Sequence, residues 1–148
     1  MRRDPAMPEG KVVSCPACSA KNRVPTSVTG KPQCAACKAA LPWIVDATDQ
    51  TMANALDTRQ LVLIDLWAPW CGPCRMVAPV LEQLAAKYAG RIKIVKVNVD
   101  DNPRAAQTYD ARSIPTLVFA KDGAVVDRII GAQPAPALSS RIDALLAG

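Results

Sequence analysis

Six cysteines fall into three C-x-x-C pairs, Cys15/Cys18, Cys34/Cys37 and Cys71/Cys74, in a chain that has no histidine. The missing imidazole excludes His-dependent acid/base catalysis, Cys-His proteolysis and any His-liganded metal, whatever the fold. The sulfurs must then carry most of the chemistry, and their spacing divides the chain. Four lie in the first 37 residues and two in the remainder.

Charge and proline follow the same division. Residues 1–42 hold seven basic side chains against two acidic ones, the whole of the net charge of +5, and six of the 13 prolines. The other 106 residues carry eleven of each sign. A boundary near Pro42 follows, with residues 1–10 expected as a flexible N-terminus, 11–42 as a small module and 43–148 as a second domain. About a hundred residues bury an adequate core, whereas some thirty-five need a metal or disulfides to hold them.

Cys15-Pro-Ala-Cys18 and Cys34-Ala-Ala-Cys37 are knuckles separated by 15 residues, the spacing of a four-thiolate metal site. Two intervening residues let a tight turn aim both sulfurs at one point. Soft thiolates favour Zn2+ over Mg2+ or Ca2+, although iron occupies the same cage. One structural zinc per chain is expected, held by Cys15, Cys18, Cys34 and Cys37, with no open position for catalysis. Lys21 and Lys38 lie near enough in sequence to offset its charge. The alternative is two disulfides. Met1-Arg2-Arg3-Asp4-Pro5 is followed by no apolar stretch, so no secretory signal places the chain in an oxidising compartment. A cytoplasmic location is expected, and with apolar runs as short as Leu61 to Ile64, no membrane span. Only six residues are aromatic, which argues against a base-stacking nucleic-acid surface.

Downstream, the pattern alternates. Trp43-Ile44-Val45 reads as a short strand, and Thr48 or Asp49 as the cap of a helix over about 50–57. Gln60 to Trp67 is a nearly continuous apolar run, as in a central strand buried on both faces. Pro73 to Tyr88 has apolar residues at helical spacing, with a kink expected at Pro79 and an end at Gly90. Ile92 to Val99 is a strand and Pro103 to Thr108 a short helix. Thr116 to Ala120 and Ala124 to Ile130 flank a hairpin turn, and Pro136 to Leu146 is a last helix. The fold class is α/β, a central mixed sheet flanked by helices.

The third pair, in Trp70-Cys71-Gly72-Pro73-Cys74, follows the buried strand and opens a helix. Unsatisfied N–H groups and the partial positive charge of the helix end stabilise a Cys71 thiolate. Pro73 suits the first turn. Cys74, one turn on and deeper, is placed to resolve a mixed disulfide. A half metal site or an inert buried pair are the other readings of an isolated C-x-x-C.

The run Asp65-Leu66-Trp67-Ala68-Pro69-Trp70-Cys71-Gly72-Pro73-Cys74, with Pro79 and Ile114-Pro115-Thr116, resembles the thioredoxin family. Together with the knuckles it resembles the two-module, thioredoxin-2 type, which implies a thioredoxin fold preceded by a zinc-ribbon-like module. The resemblance implies roles. Asp65 matches the buried acid that takes the resolving thiol's proton, and its pKa should be raised; a strand end facing solvent is the alternative. Lys96 matches that acid's partner, or is a solvated strand position. Pro115 matches a cis-proline that sets the Ile114 backbone beside Cys71, or forms an ordinary trans turn. Trp70, Gly72, Pro73, Ile114, Pro115, Gly131 and Ala132 would bind substrate around an exposed sulfur. Trp67 is expected to pack under the site and Trp43 in the core or between the modules. The activity implied is protein-disulfide reduction and electron transport, with disulfide-containing target proteins and an NADPH-dependent thioredoxin reductase as partners. No G-x-G-x-x-G is present, so no organic cofactor is expected. An oxidant or isomerase of the same fold and a non-catalytic adaptor are the other readings; the Gly72-Pro73 pair between the cysteines resembles reducing family members, and no export signal is seen.

Overall fold

The computed structural model describes residues 11–148; the expected flexible segment 1–10 lies outside the described residues. The N-terminal module is a hairpin, β1 (Lys11–Ser14) antiparallel to β2 (Lys21–Val24), followed by an isolated bridge between Gln33 and Ala40. The larger unit follows in the order β3 (Ile44–Asp46), α1 (Met52–Ala55), β4 (Leu61–Trp67), α2 (Gly72–Lys87), β5 (Ile92–Asn98), α3 (Pro103–Thr108), β6 (Thr116–Lys121), β7 (Ala124–Ile130) and α4 (Ala135–Ala147). Its strands form one mixed sheet, β3-β5-β4-β6-β7. The first three are parallel, and β6 and β7 join antiparallel.

Strand periodicity explains the apolar run in β4. Leu61 and Leu63 point to the layer formed by α2 and α4, with Val77, Leu81, Leu84, Phe119, Leu138 and Ile142. Val62, Ile64 and Leu66 point the other way, toward α1, α3 and the N-terminal module. A strand covered on both faces has no polar side to alternate with. Each fully buried Leu, Ile or Phe contributes roughly 1.5–3 kcal/mol. Tyr88, 1% exposed, closes the first layer by donating to Asp143 at 2.6 Å and to the Ser139 carbonyl at 3.3 Å on α4. Asp122 and Gly123, both at positive φ, make the two-residue turn between β6 and β7.

Helix starts differ from the sequence reading in one respect. Neither Thr48 nor Asp49 caps α1, whose N-cap is Thr51, without a side-chain hydrogen bond. Thr48 instead receives the backbone N–H of Gln50 and closes a turn with Thr51. Asp49 caps a different helix: its carboxylate accepts the N–H groups of Arg104 and Ala105 at the start of α3. The pattern near Asp49 was a true capping signal, satisfied 55 residues away.

The two units share a core. Val24 and Leu41 of the module cluster with Trp43, Val45, Val62 and Val95. Trp43, 1% exposed, donates its indole N–H to the Pro25 carbonyl at 3.0 Å, so it serves both as core and as contact between modules. Lys93 is wholly buried beneath the module. Its ammonium donates to the carbonyls of Thr26 and Ala55 and lies 4.2 Å from the centre of the Trp43 ring. Burial pushes this amine down to about 8, with Asp57 pulling it back up. Among the described residues, no helix is long and apolar enough to cross a membrane.

Candidate redox and metal sites

Cys71 is the N-cap of α2, just past the carboxyl end of β4. Its Sγ accepts the backbone N–H of Cys74 at 3.2 Å, a helix-end donor aimed at sulfur. Cys71 and Cys74 are joined as a disulfide, with Cα atoms 5.2 Å apart, so the site is in its oxidised state. The pair is bonded to itself and stands apart from the four-cysteine cluster. Pro73 occupies the first turn of α2, and the helix runs unbroken through Pro79. It ends at Lys87, two residues before Ala89 and three before Gly90, which takes positive φ in the following turn.

One expectation needs correction. Cys71 is at the helix tip, yet only 4% exposed, hardly more than Cys74 at 3%. The cover is local: Trp67, Val99 and Ile114 pack on the small cluster of Ala68, Cys71 and Cys74. The Ile114 carbonyl oxygen lies 3.7 Å from the Cys71 Sγ, and the Ile114–Pro115 peptide is cis. Gly131, at φ +98°, donates its N–H to the Pro115 carbonyl, which fixes this loop beside the sulfur. Ile114, Gly131 and Ala132 are half-buried and Pro73 is exposed. Trp70 is 67% exposed, and its indole N–H donates to Asp100 at 3.0 Å. Nothing in the spacing of the sequence pointed to Asp100, because the contact depends on the loop after β5 returning to the helix tip.

Asp65 lies in β4, 1% exposed, on the face that carries Leu61 and Leu63, so it is no strand end facing solvent. Burial pushes its carboxyl up to about 6, with the Lys96 cation pulling it down. Its Oδ1 has no hydrogen-bond partner. Lys96 stands opposite it in register on β5, half-buried, its Nζ 5.2 Å from the centre of the Trp67 ring. Trp67 thus lies beneath the site, as expected.

The four N-terminal sulfurs converge. All lie within 4.8 Å of one another, with Cys15–Cys37 and Cys18–Cys34 separations of 3.6 Å. A tetrahedron of sulfurs about 2.3 Å from a metal has edges of roughly 3.8 Å, so the cage fits one ion, and no pair is bonded as a disulfide. The knuckles repeat one local geometry. Ser19 and Lys38, each following its knuckle, take positive φ and donate their N–H to the carbonyls of Cys15 and Cys34. The Cys37 backbone N–H and the Asn22 amide draw the Cys34 thiol down to about 6. The Ala20 backbone lowers Cys18, but its sulfur neighbours Cys34 and Cys37 push it up to about 12.

A disulfide held at a helix N-terminus, at the end of a strand that carries a buried acid, is the arrangement of a thiol-disulfide oxidoreductase. The family model for thioredoxin matches residues 43–144, and the chain belongs to the thioredoxin family. It is 53% identical to thioredoxin 1 of Nostoc sp. over 97 residues, 65% of this chain and 91% of the relative. Thioredoxin of Synechocystis sp. is 47% identical over 107 residues, 72% and 98% of the two chains. Thioredoxin of Staphylococcus aureus is 47% identical over 100 residues, 68% and 95%. The family match begins at Trp43, after the four-sulfur cluster.

Proposed function

We propose that the protein reduces disulfides in target proteins through its Cys71-Gly72-Pro73-Cys74 dithiol. The observation that carries this is the Cys71–Cys74 disulfide at the tip of α2, with the Cys71 sulfur accepting a helix-end N–H. In the reduced protein the same N–H stabilises a Cys71 thiolate. That thiolate attacks one sulfur of the target disulfide, forming a mixed disulfide and releasing the other sulfur as thiolate. Cys74 gives its proton to Asp65 and attacks the Cys71 sulfur. The mixed disulfide breaks, the target leaves with both sulfurs reduced and carries two electrons away, and Cys71 and Cys74 are left oxidised, joined to each other. Asp65 suits the step because burial raises its proton affinity to within reach of neutral pH. Lys96 tempers that rise. The Ile114 backbone, cis Pro115, Trp70, Gly131 and Ala132 form the surface on which an extended target segment lies.

A thioredoxin reductase using NADPH restores the dithiol, since the chain carries no nucleotide-binding motif of its own. Residues 11–42 are read as a zinc module on a redox domain of 43–148, in the two-module arrangement of thioredoxin-2, acting in the cytoplasm. Cys15, Cys18, Cys34 and Cys37 would hold one Zn2+. With four protein ligands that ion supplies folding energy and no open coordination position.

The test is insulin reduction coupled to NADPH oxidation. Cys71→Ser is expected to fall to the rate without protein, and Cys74→Ser to accumulate a covalent complex with the target. Normal turnover by Cys74→Ser would remove its resolving role.

A further inference from the structure

Register places three charged residues in one row. Asp65 on β4 stands opposite Lys96 on β5, and Lys96 stands opposite Asp46 on β3. Parallel neighbours in register point to the same face, and the strands lie roughly 4.8 Å apart. The row continues out of the sheet. Lys11, at the start of β1 in the N-terminal module, brings its Nζ to 3.5 Å from the Asp46 carboxylate. The signs alternate, Asp65, Lys96, Asp46, Lys11. Exposure rises outward, from 1% at Asp65 through half-buried Lys96 to 60% for the Asp46 side chain.

The buried end of this row is answered by field rather than by contact. The Asp65 Oδ1 has no donor, and among the described residues Lys96 makes no ion pair within 4 Å. A carboxylate without hydrogen bonds takes its proton affinity from burial and from nearby charges. Lys96 and Asp46 line one cleft of about 370 Å3, together with Trp67, Asn98 and Asp101. Within that cleft the Lys96 ammonium is shared between the field of Asp65 on one side and that of Asp46 on the other.

We propose that Asp46 is a positioning residue for Asp65, acting through Lys96, and that Lys11 of the N-terminal module sets how strongly it acts. The inference rests on the reading of Asp65 as acceptor of the Cys74 proton. Asp46 adds negative potential along the row and draws the Lys96 cation outward, so both of its effects favour protonated Asp65. Lys11 neutralises Asp46 and opposes both. The other titratable groups facing the row are Asp101 in the cleft and Glu82 of α2, which lines the groove beside Lys11. Cys71 and Cys74 carry no charge while joined.

The experiment is a carbon-NMR titration of the Asp65 carboxyl in the oxidised full chain, for wild type, Asp46→Asn, Lys11→Gln and the double variant. Asp46→Asn should move the Asp65 midpoint down by about half a pH unit, the size expected of one charge some 10 Å away in a partly screened site. Lys11→Gln should move it up by less, and should do nothing once Asp46 is gone. An unmoved midpoint in Asp46→Asn, or a Lys11→Gln shift that persists without Asp46, overturns the proposal. The pH profile of mixed-disulfide resolution in the reduced proteins separates the two readings. If it follows the Asp65 midpoint, row and acceptor both stand. If the midpoint moves while the profile does not, the row stands and Asp65 is removed as acceptor.

Discussion

The same four-residue motif occurs three times and meets two different fates. In the N-terminal module, Cys15/Cys18 and Cys34/Cys37 each close a tight turn, relieved by a following residue at positive φ, and their four sulfurs face one another. In the redox domain, Cys71 caps a sixteen-residue helix that follows a strand, and Cys74 sits in the first turn of that helix. There the pair faces a helix terminus instead of a second pair, and the sulfurs bond to each other. The backbone leaving the motif, a left-handed turn or a helix, decides whether a C-x-x-C becomes half a cage or a redox couple. The regions differ equally in what orders them. The module has a hairpin of two four-residue strands; the domain has a five-stranded sheet covered on both faces. Yet Val24 and Leu41 are buried in the core of the larger unit, so the module is also tied to its neighbour.

Metal removal is the strongest way to break this comparison. Structural zinc contributes about 10 kcal/mol or more to a module of this kind. Elemental analysis should give one zinc per chain, and its extraction by a chelator should expose the amides of β1 and β2 to hydrogen exchange. The amides of β4 and β6 should stay protected, because their core is made without the metal. If the hairpin kept full protection in the metal-free protein, docking on Trp43 and Lys93 would be its real support.

A smaller effect of opposite sign is expected in the redox domain. Asp65 titrates near 6 in the folded protein and at about 3.8 unfolded. Between those values the folded state holds the proton more tightly, so stability falls as pH rises from about 4 to 6 and stays lowered above that. Two pH units correspond to about 3 kcal/mol. Asp65→Asn should therefore stabilise the oxidised protein at pH 7 by up to about 3 kcal/mol in urea unfolding, with the difference vanishing below pH 4. A destabilised variant at pH 7 would mean that the carboxylate is better satisfied than its orphaned oxygen indicates. The domain would thus carry a group that weakens it, whereas the module's sulfurs, if metal-bound as proposed, would hold it together.

These differences bear on how far the sequence could be read. Elements with one strong period were legible: the apolar run before Trp67, the helix after Pro73, the hairpin at Asp122-Gly123. So were the two sulfur sites, since a C-x-x-C brings its partners within four residues. What escaped depends on distant chain. Asp49 reads as a cap for the helix beside it and caps α3 instead, 55 residues on. Nothing local marks Lys93 as buried; its burial appears only when the Thr26 carbonyl of the module and the Trp43 ring close over it. The near-burial of Cys71 comes in part from the Ile114 loop, 43 residues downstream, and from Val99 after β5. Nor does anything local distinguish Asp46 from a solvated strand end.

Gly90 sharpens the comparison at the seam between the two regions. It was legible as the stop after α2, and its φ of +86° agrees with that reading. But a Cβ built on it would stand 2.9 Å from the Cβ of Ala40, beside the Lys31 side chain, so the glycine also admits the module. The two roles predict different rescues. Gly90→Ala should cost about 2 kcal/mol, part from the left-handed backbone and part from the clash. Adding Ala40→Gly removes the clash and leaves the backbone cost. If the second substitution recovers roughly half of the loss in urea unfolding, and slows chelator-driven zinc release back toward the wild-type rate, Gly90 serves the seam as well as the helix end. If it recovers nothing, the backbone conformation alone accounts for the glycine, and the module packs there loosely enough to yield by a few tenths of an ångström.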